Sequence, residues 1–248
     1  MRGHADANRG LAAGLADMNR EEGLDDLSRS SWLRDTPPNF RNAILSLCCW
    51  ERIEAGAPVQ TGGEDQGELI GLARGTVELR TVLGPADTPV MHFAYPVTWF
   101  GFGPIVSRRP RPLAASARTP IWVARLPQAA VRALLAKQPG WWRHLIPPSL
   151  VYGDVAVTIA ADLLIRDSER RCSAVLLRLS GRRFASPEGE GATEVAITQD
   201  DLAGAANLSR SSVRTMLGRL AARGLIEQGY GGVTVRAPEA LRAFVDQG

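Results

Sequence analysis

The chain has 248 residues, of which 45% are hydrophobic and 22% charged, with a net charge of +3. These ordinary values exclude wholesale disorder and fibrous repeats, and the length allows one large domain or two smaller ones that each bury a core. The apolar runs are too short to cross a bilayer, and Met1–Gly23 carries Arg2, His4 and Asp6 where a signal peptide would be apolar, which predicts a cytoplasmic protein.

Cysteine and histidine are too scattered to indicate a metal centre or a disulfide framework. The three cysteines have no Cys-x-x-Cys spacing, and the three histidines form no ligand motif, so we expect no cofactor. The adjacent pair Cys48 and Cys49 suits either a redox switch or small apolar side chains in the core, and the second interpretation is favoured.

The N-terminal half is predicted to be a flexible extension followed by a small antiparallel β-structure. Residues 1–28 are rich in Ala, Gly, Asn and Asp and show little apolar periodicity. Asn39 is placed to cap a short helix. Further on, short apolar or alternating runs between Gly and Pro predict strands. These runs are Leu69–Ala73, Thr76–Arg80, Val90–Ala94, Leu113–Ala117 and Ile121–Leu126.

A long apolar helix is predicted from about Pro148 to Ile165. Because its apolar residues recur on two sides, one side of the helix is expected to pack against its own domain and the other side against a second element. A symmetric partner helix is the simple candidate, and a core helix within a monomer is the alternative. Asp154 and Asp162 are expected in solvent or at the dimer edge. The side chains expected at a dimer seam are Leu150, Val157, Ala161 and Leu164.

The segment Ile197–Arg236 predicts two helices and a two-stranded wing. Thr198 and Asp201 have the spacing of a capping box for the first helix, and Ser209 is placed to cap the second. The inter-helix turn, the end of the second helix and the hairpin turn of the wing are expected at Asn207–Leu208, Gly224 and Gly229–Gly232.

The second helix of this segment carries cations without acids. A helix N-terminus with serine hydroxyls and arginines suits phosphate anchoring and base-edge reading in a major groove. The alternative is a solvated basic face on an ordinary helical hairpin. The short turn, the serine cap and the wing together favour DNA binding. The arginines of the acid-free stretch Asn207–Ile226 are Arg210, Arg214, Arg219 and Arg223.

Three segments, Ile197–Ala203, Leu208–Val213 and Gly224–Ile226, resemble the winged helix of Crp/Fnr-type bacterial transcription regulators. Leu69–Leu79 is similar to the strand–Gly–strand unit of their β-roll, and Trp99–Gly101 stands where their phosphate-binding cassette begins. The resemblance implies an α+β fold with an N-terminal antiparallel β-roll, a long dimerisation helix and a C-terminal winged helix-turn-helix. The implied parts are a flexible extension over 1–28, the β-roll over 29–140, the dimerisation helix over 141–166 and the DNA-binding domain over 167–248.

The same resemblance implies a non-enzymatic homodimer on a two-fold symmetric operator, with double-stranded DNA and RNA polymerase as partners and no membrane. Ser211 and Thr215 replace a glutamate and an arginine of well-known members, so the operator is expected to differ from the best-known half-sites. The alternative is a ligand-binding or interaction module whose winged helix contacts protein. The implied DNA-binding residues are Thr198, Gln199, Ser209, Arg210, Ser211, Ser212, Arg214 and Thr215.

The expected effector pocket departs from the family's cyclic-nucleotide pattern, in which a Gly-Glu pair and an Arg-Ser or Arg-Thr pair bind the ribose and the cyclic phosphate. Here Phe102 follows Gly101, and Pro112 follows Arg111. Phe102 cannot accept a hydrogen bond, and Pro112 offers neither a hydroxyl nor an amide N–H. A pocket at Gly101, Phe102 and Arg111 is therefore not expected to bind a cyclic nucleotide. A different effector and a ligand-free structural role both stay open.

Overall fold

The computed structural model describes residues 20–29, 31–63, 67–84, 88–107, 109–183 and 192–247. The chain divides into two compact units, one formed by Met1–Pro85 with Ala94–Asp154 and the other by Ala86–Phe93 with Val155–Gly248. The division falls inside a helix, and the domain boundaries inferred from the sequence stay predictions. No helix in the described ranges has the length and hydropathy needed to cross a membrane.

The described chain opens with three helices, α1 (Arg20–Ser28), α2 (Ser31–Arg34) and α3 (Pro38–Ser46). The expectation of a flexible extension is wrong for residues 20–28, because the side chain of Leu27 is fully buried in the core. Residues 1–19 of that extension lie outside the described residues.

The short helix predicted after Asn39 begins one residue before it. Pro38 occupies the first turn, where a missing amide hydrogen costs little, and the Asn39 side chain instead accepts a hydrogen bond from the Phe40 amide at 2.9 Å. Of the two adjacent cysteines beyond this helix, Cys48 is buried and Cys49 is exposed.

Two antiparallel sheets build the first unit. The first sheet has the order β1-β8-β3-β6, and the second contains β2, β7 and β4 side by side. All five predicted strands are present, whereas β1, β2 and β6 were missed because two of them have only three residues and β1 is mostly exposed, without a regular alternation of apolar residues. In chain order, these strands are β1 (Cys49–Ile53), β2 (Pro58–Gln60), β3 (Glu68–Arg74), β4 (Val77–Thr81), β5 (Val90–Ala94), β6 (Thr98–Phe100), β7 (Leu113–Ala117) and β8 (Ile121–Pro127). Residues 90–93 of β5 belong to the second unit.

Strand β3 contributes to two apolar clusters because successive side chains of a strand face opposite sides of the sheet. Leu69 and Ala73 lie in the cluster beneath the helices, whereas Ile70 and Leu72 lie in the cluster between the sheets. Burial on both faces explains why the sequence of β3 is a nearly continuous apolar run. A short helix, α4 (Phe102–Ser107), follows β6.

The first unit continues through α5 (Gln128–Lys137) and a 3₁₀ helix (Pro139–His144) into the long helix α6 (Ile146–Leu164). The exposed side chains of Leu150, Val157 and Leu164 recur every seven residues. Asp154 and Ala161, both exposed, fall between them, which gives the 3.5-residue period of a coiled-coil seam. We call these five side chains the α6 stripe.

One expectation for α6 is wrong. Asp162 does not lie in solvent or at a dimer edge but is fully buried, because its carboxylate accepts hydrogen bonds from Arg178 Nε at 2.8 Å and Arg183 Nε at 3.0 Å. Both arginines are far away in sequence, so the pairing was not visible in the local pattern.

The second unit has the predicted order of helix, turn, helix and wing. It comprises α7 (Ser168–Leu179), β9 (Thr193–Val195), α8 (Gln199–Ala206), α9 (Arg210–Ala222), β10 (Ile226–Gly229), β11 (Gly232–Val235) and α10 (Pro238–Asp246). The three strands form one antiparallel sheet in the order β10-β11-β9. Strand β9 therefore extends the predicted two-stranded wing.

Candidate nucleic-acid interface

Helices α8 and α9 are joined by a tight turn that local sequence determines. The Thr198 hydroxyl accepts a hydrogen bond from the Asp201 amide at 3.0 Å, and the Asp201 carboxylate accepts one from the Thr198 amide, which completes the predicted capping box. Gln199 is the first residue of α8. Asn207 ends the helix with a φ of 51°, a left-handed conformation that asparagine tolerates better than most residues.

The N-terminus of α9 carries a cluster of hydroxyl groups. Ser209 Oγ accepts a hydrogen bond from the Ser212 amide at 3.1 Å and lies within 3.0 Å of the hydroxyls of Ser211 and Ser212. Thr215 Oγ1 donates to the Ser211 carbonyl at 3.1 Å. The first turn of α9 contains no acidic residue, so the partial positive charge of the helix N-terminus is not neutralised within the helix.

The two faces of α9 differ in burial. Val213, Leu217 and Leu220 are buried. The opposite face is exposed at Ser211, Arg214, Thr215 and Gly218. Since the buried face fixes the helix to the second unit, the hydroxyl cluster and Arg214 are held on a rigid element in solvent.

The four arginines of α9 and its C-terminal end have different surroundings. Arg219 and Arg223 each lie 3.4 Å from the Glu169 carboxylate of α7, and the Arg223 guanidinium also covers the Phe244 ring. Arg210 pairs with Asp200 at 3.3 Å. Among the described residues, Arg214 makes no ion pair. The acid-free stretch therefore does not present four equivalent cations.

The sequence argument missed Glu169 because it precedes Arg219 by 50 residues. Nothing in the local pattern of α9 indicates an acid from another helix. The local sequence shows that this stretch has no acidic residue, but only the tertiary structure shows which of its arginines pair with acids from other helices.

A buried ionic cluster connects the last turns of α6 with α7. Besides its bond to Asp162, Arg178 donates to the Met91 carbonyl. His92 lies close to Arg178, and burial together with that positive charge lowers the pKa of His92 to about 4. Arg183 completes the cluster at Asp162. These groups hold the C-terminal part of α6 within the second unit.

The residues of the expected effector pocket come together around a cavity of about 170 Å³ in the first unit. The Arg111 guanidinium is buried there and donates to the Thr61 carbonyl at 3.3 Å. It also fills the space beside Gly67, where a Cβ atom would lie 1.1 Å from Arg111 Nη2. Arg111 is thus built into the wall of the cavity.

Phe102 belongs to the core more than to this cavity. Its ring is buried and packs edge-on against Trp32, with 5.0 Å between the ring centroids. Gly101 has a φ of +95°, and a Cβ there would meet the Glu68 carbonyl oxygen at 2.3 Å. The sequence did not indicate that Tyr152 of α6 also lines this cavity.

Comparison with known proteins agrees with this geometry. Residues 170–244 match the family described as the Crp-like helix-turn-helix domain. Comparison of the full sequence with curated proteins finds no match.

Solved structures with the same fold include several transcription regulators. A Crp/Fnr-family regulator from Thermus thermophilus is 24% identical, with 80% of this chain and 99% of that chain covered and a TM-score of 0.58. FixK2 from Bradyrhizobium japonicum is 17% identical, with 79% and 96% covered and a TM-score of 0.66. The c-di-GMP-responsive regulator CLP from Xanthomonas campestris is 19% identical, with 81% and 100% covered and a TM-score of 0.61.

The helix–turn–helix–wing order and its capped helices lie within the matched segment, and the similar structures cover 80% and 79% of this chain. Residues 170–244 are therefore a Crp-like helix-turn-helix domain, and the chain has the fold of the Crp/Fnr transcription regulators.

Proposed function

We propose that the chain is a DNA-binding transcription regulator of the Crp/Fnr type, which acts as a homodimer on a two-fold symmetric operator without requiring a cyclic nucleotide. Its proposed site of action is the cytoplasm, with RNA polymerase as a protein partner. The role needs no catalytic site.

The observation that carries the proposal is the exposed N-terminal face of α9. Hydroxyls of Ser209, Ser211 and Ser212, the amides of the first turn and Arg214, which pairs with no described acid, lie on one rigid helix. Hydroxyls and amides suit phosphate oxygens, and an arginine side chain reaches base edges. The proposed contacts also include Thr198, Gln199, Arg210 and Thr215.

The α6 stripe supports the dimer. Leu150, Val157 and Leu164 are 62%, 70% and 80% exposed, although they are large apolar side chains at heptad spacing. A second copy of α6 would remove them from water. Two recognition helices related by a two-fold axis would then meet two successive major grooves.

Independence from cyclic nucleotides is supported by the cavity at Arg111. Its volume of about 170 Å³ is below the roughly 300–1,000 Å³ of small-molecule sites. Phe102 supplies no acceptor for a ribose hydroxyl, and Pro112 supplies no donor for a phosphate.

The test is selection of genomic fragments with the purified full chain, with and without cyclic AMP. We expect enrichment of a two-fold symmetric site without added nucleotide, with an affinity that falls steeply as salt rises. Enrichment only with cyclic AMP would refute the effector part of the proposal. No salt-dependent binding to any duplex under either condition would refute DNA binding.

The dimer is tested with Val157→Glu and the control Ala156→Glu, which lies on α6 beside the stripe and is also exposed. We expect Val157→Glu to halve the mass measured by sedimentation and to weaken binding to the symmetric site, because it places two carboxylates in the seam. The control should leave both measurements unchanged. An unchanged mass for Val157→Glu would contradict the seam.

A further inference from the structure

A larger cavity lies in the first unit and shares Tyr152 with the cavity at Arg111. Its volume is about 440 Å³, within the range of small-molecule sites. The walls come from α2 and the residues after it, from β6 and the residue before it, from the 3₁₀ helix and from the first turns of α6. Neither Gly101 nor Arg111 contributes to it.

The aromatic walls of this cavity are fixed by hydrogen bonds within the protein. Trp32 Nε1 donates to the His144 carbonyl at 2.6 Å, and the Tyr152 hydroxyl donates to the Trp99 carbonyl at 3.2 Å. The Trp32 and Trp99 rings pack edge-on with 5.3 Å between their centroids. These aromatic side chains are therefore already held in place, so a ligand does not have to order them.

The charged residues that line the cavity indicate the charge of the ligand. Asp35 is the one carboxylate among the residues that line the cavity, and it pairs with Arg34 at 3.2 Å. Arg143 lines the cavity and makes no ion pair with the described residues, although its Nε donates a hydrogen bond to His144 Nε2 at 3.4 Å. Burial and the neighbouring Arg143 lower the pKa of His144, which disfavours a second positive charge there. The cavity thus combines apolar aromatic walls with one arginine that has no carboxylate partner among the described residues.

We infer that this cavity binds a small planar aromatic anion, with the ring against Trp32 and Trp99 and the anionic group at Arg143. Cation–anion pairing in a partly desolvated site supplies orientation, and the apolar walls supply most of the affinity.

The experiment measures binding of benzoate and 1-naphthoate to the full chain by calorimetry and tryptophan fluorescence, without DNA. The variants are Arg143→Gln, which removes the cation, and Val151→Trp, which fills the cavity. The control is Arg109→Gln, an exposed arginine that lines neither cavity.

We expect one naphthoate per chain, about tenfold weaker binding to Arg143→Gln, no binding to Val151→Trp and unchanged binding to the control. Neutral 1-naphthalenemethanol should bind the wild type and Arg143→Gln equally. Equal naphthoate affinity for Arg143→Gln and wild type, or no saturable binding of either acid, would overturn the inference.

DNA binding of the same preparations is measured separately by fluorescence anisotropy. A chain that binds duplex DNA but neither aromatic acid refutes the cavity assignment alone. A chain that binds naphthoate at this cavity but no duplex refutes the proposed function alone.

Discussion

The arginines of α9 differ in how readily they can contact DNA, because some of them are already paired with acidic residues. Arg219 lies near Glu169, and Arg210 lies near Asp200, whereas Arg214 makes no ion pair with the described residues. An arginine that already contacts a carboxylate must lose that contact before it binds DNA. Arg214 has no such contact to lose within the described part of the chain.

We therefore predict that Arg214→Ala weakens binding to the symmetric DNA site by about 1–3 kcal/mol, as expected for an arginine that reads a base edge. Arg219→Ala is the matched control, because the residue lies on the same helix but close to Glu169. Anisotropy titrations at a fixed salt concentration compare the two variants. Equal losses would show that Glu169 does not hold Arg219 away from DNA.

The capping residues of this region could be predicted from sequence because each acts on its own helix. Thr198 and Ser209 make the expected bonds to amides three residues later. The burial of Asp162 could not be predicted, since its partner Arg178 comes from the next helix. Local hydrogen bonds follow from spacing, whereas long-range ion pairs require the tertiary structure.

At the scale of elements, α6 changes character along its length. Its N-terminal turns line two cavities, its middle presents the α6 stripe, and its last turns carry the buried carboxylate of Asp162. The apolar period predicted the stripe and the approximate ends of the helix. It could not distinguish the inward carboxylate from the exposed Asp154, because both lie on a helix with two apolar sides.

We predict that Asp162→Asn lowers the free energy of unfolding by about 3–5 kcal/mol, because Arg178 then stays buried without a countercharge. Asp246→Asn is the matched control, since Asp246 is an exposed partner of Arg183 at 3.6 Å. The control should change stability by less than about 1 kcal/mol. Urea unfolding followed by circular dichroism measures both. Similar values for the two variants would contradict a structural role for the buried pair.

At the scale of the whole molecule, the buried ionic cluster links stability to pH. The pKa of His92 is lowered from 6.5 to about 4 by burial and by Arg178. In the unfolded chain the His92 imidazole is therefore protonated as the pH falls below 6.5, whereas in the folded chain it is protonated only at about pH 4. Stability from this group is complete above the unfolded pKa and is lost as pH falls through that window.

We predict that the free energy of unfolding is about 2 kcal/mol lower at about pH 5 than at about pH 7.5 on account of His92. His92→Gln should remove this part of the pH dependence, because glutamine does not titrate. Urea unfolding of both proteins at the two pH values gives the difference. An unchanged pH dependence in the variant would contradict the assignment to His92.

The order of the five predicted strands, of α6 and of the helices and wing of the second unit could be predicted, because these elements have local signals: alternation in the strands, helical spacing in α6, and caps in α8 and α9. The cavity at Arg111 was predicted from the resemblance alone. The larger cavity was not, because its walls come from three stretches that are distant in sequence and carry no shared motif.

Tyr152 lines both cavities and donates its hydroxyl to the Trp99 carbonyl. A side chain that lines two cavities links their occupancies thermodynamically only when a ligand in one of them moves it. If a ligand in one space displaces Tyr152, the affinity of the other changes, and linkage requires that the effect be equal in the reverse direction. Two ligands that favour different positions of the Tyr152 ring would then compete. Two ligands that favour the same position would bind cooperatively.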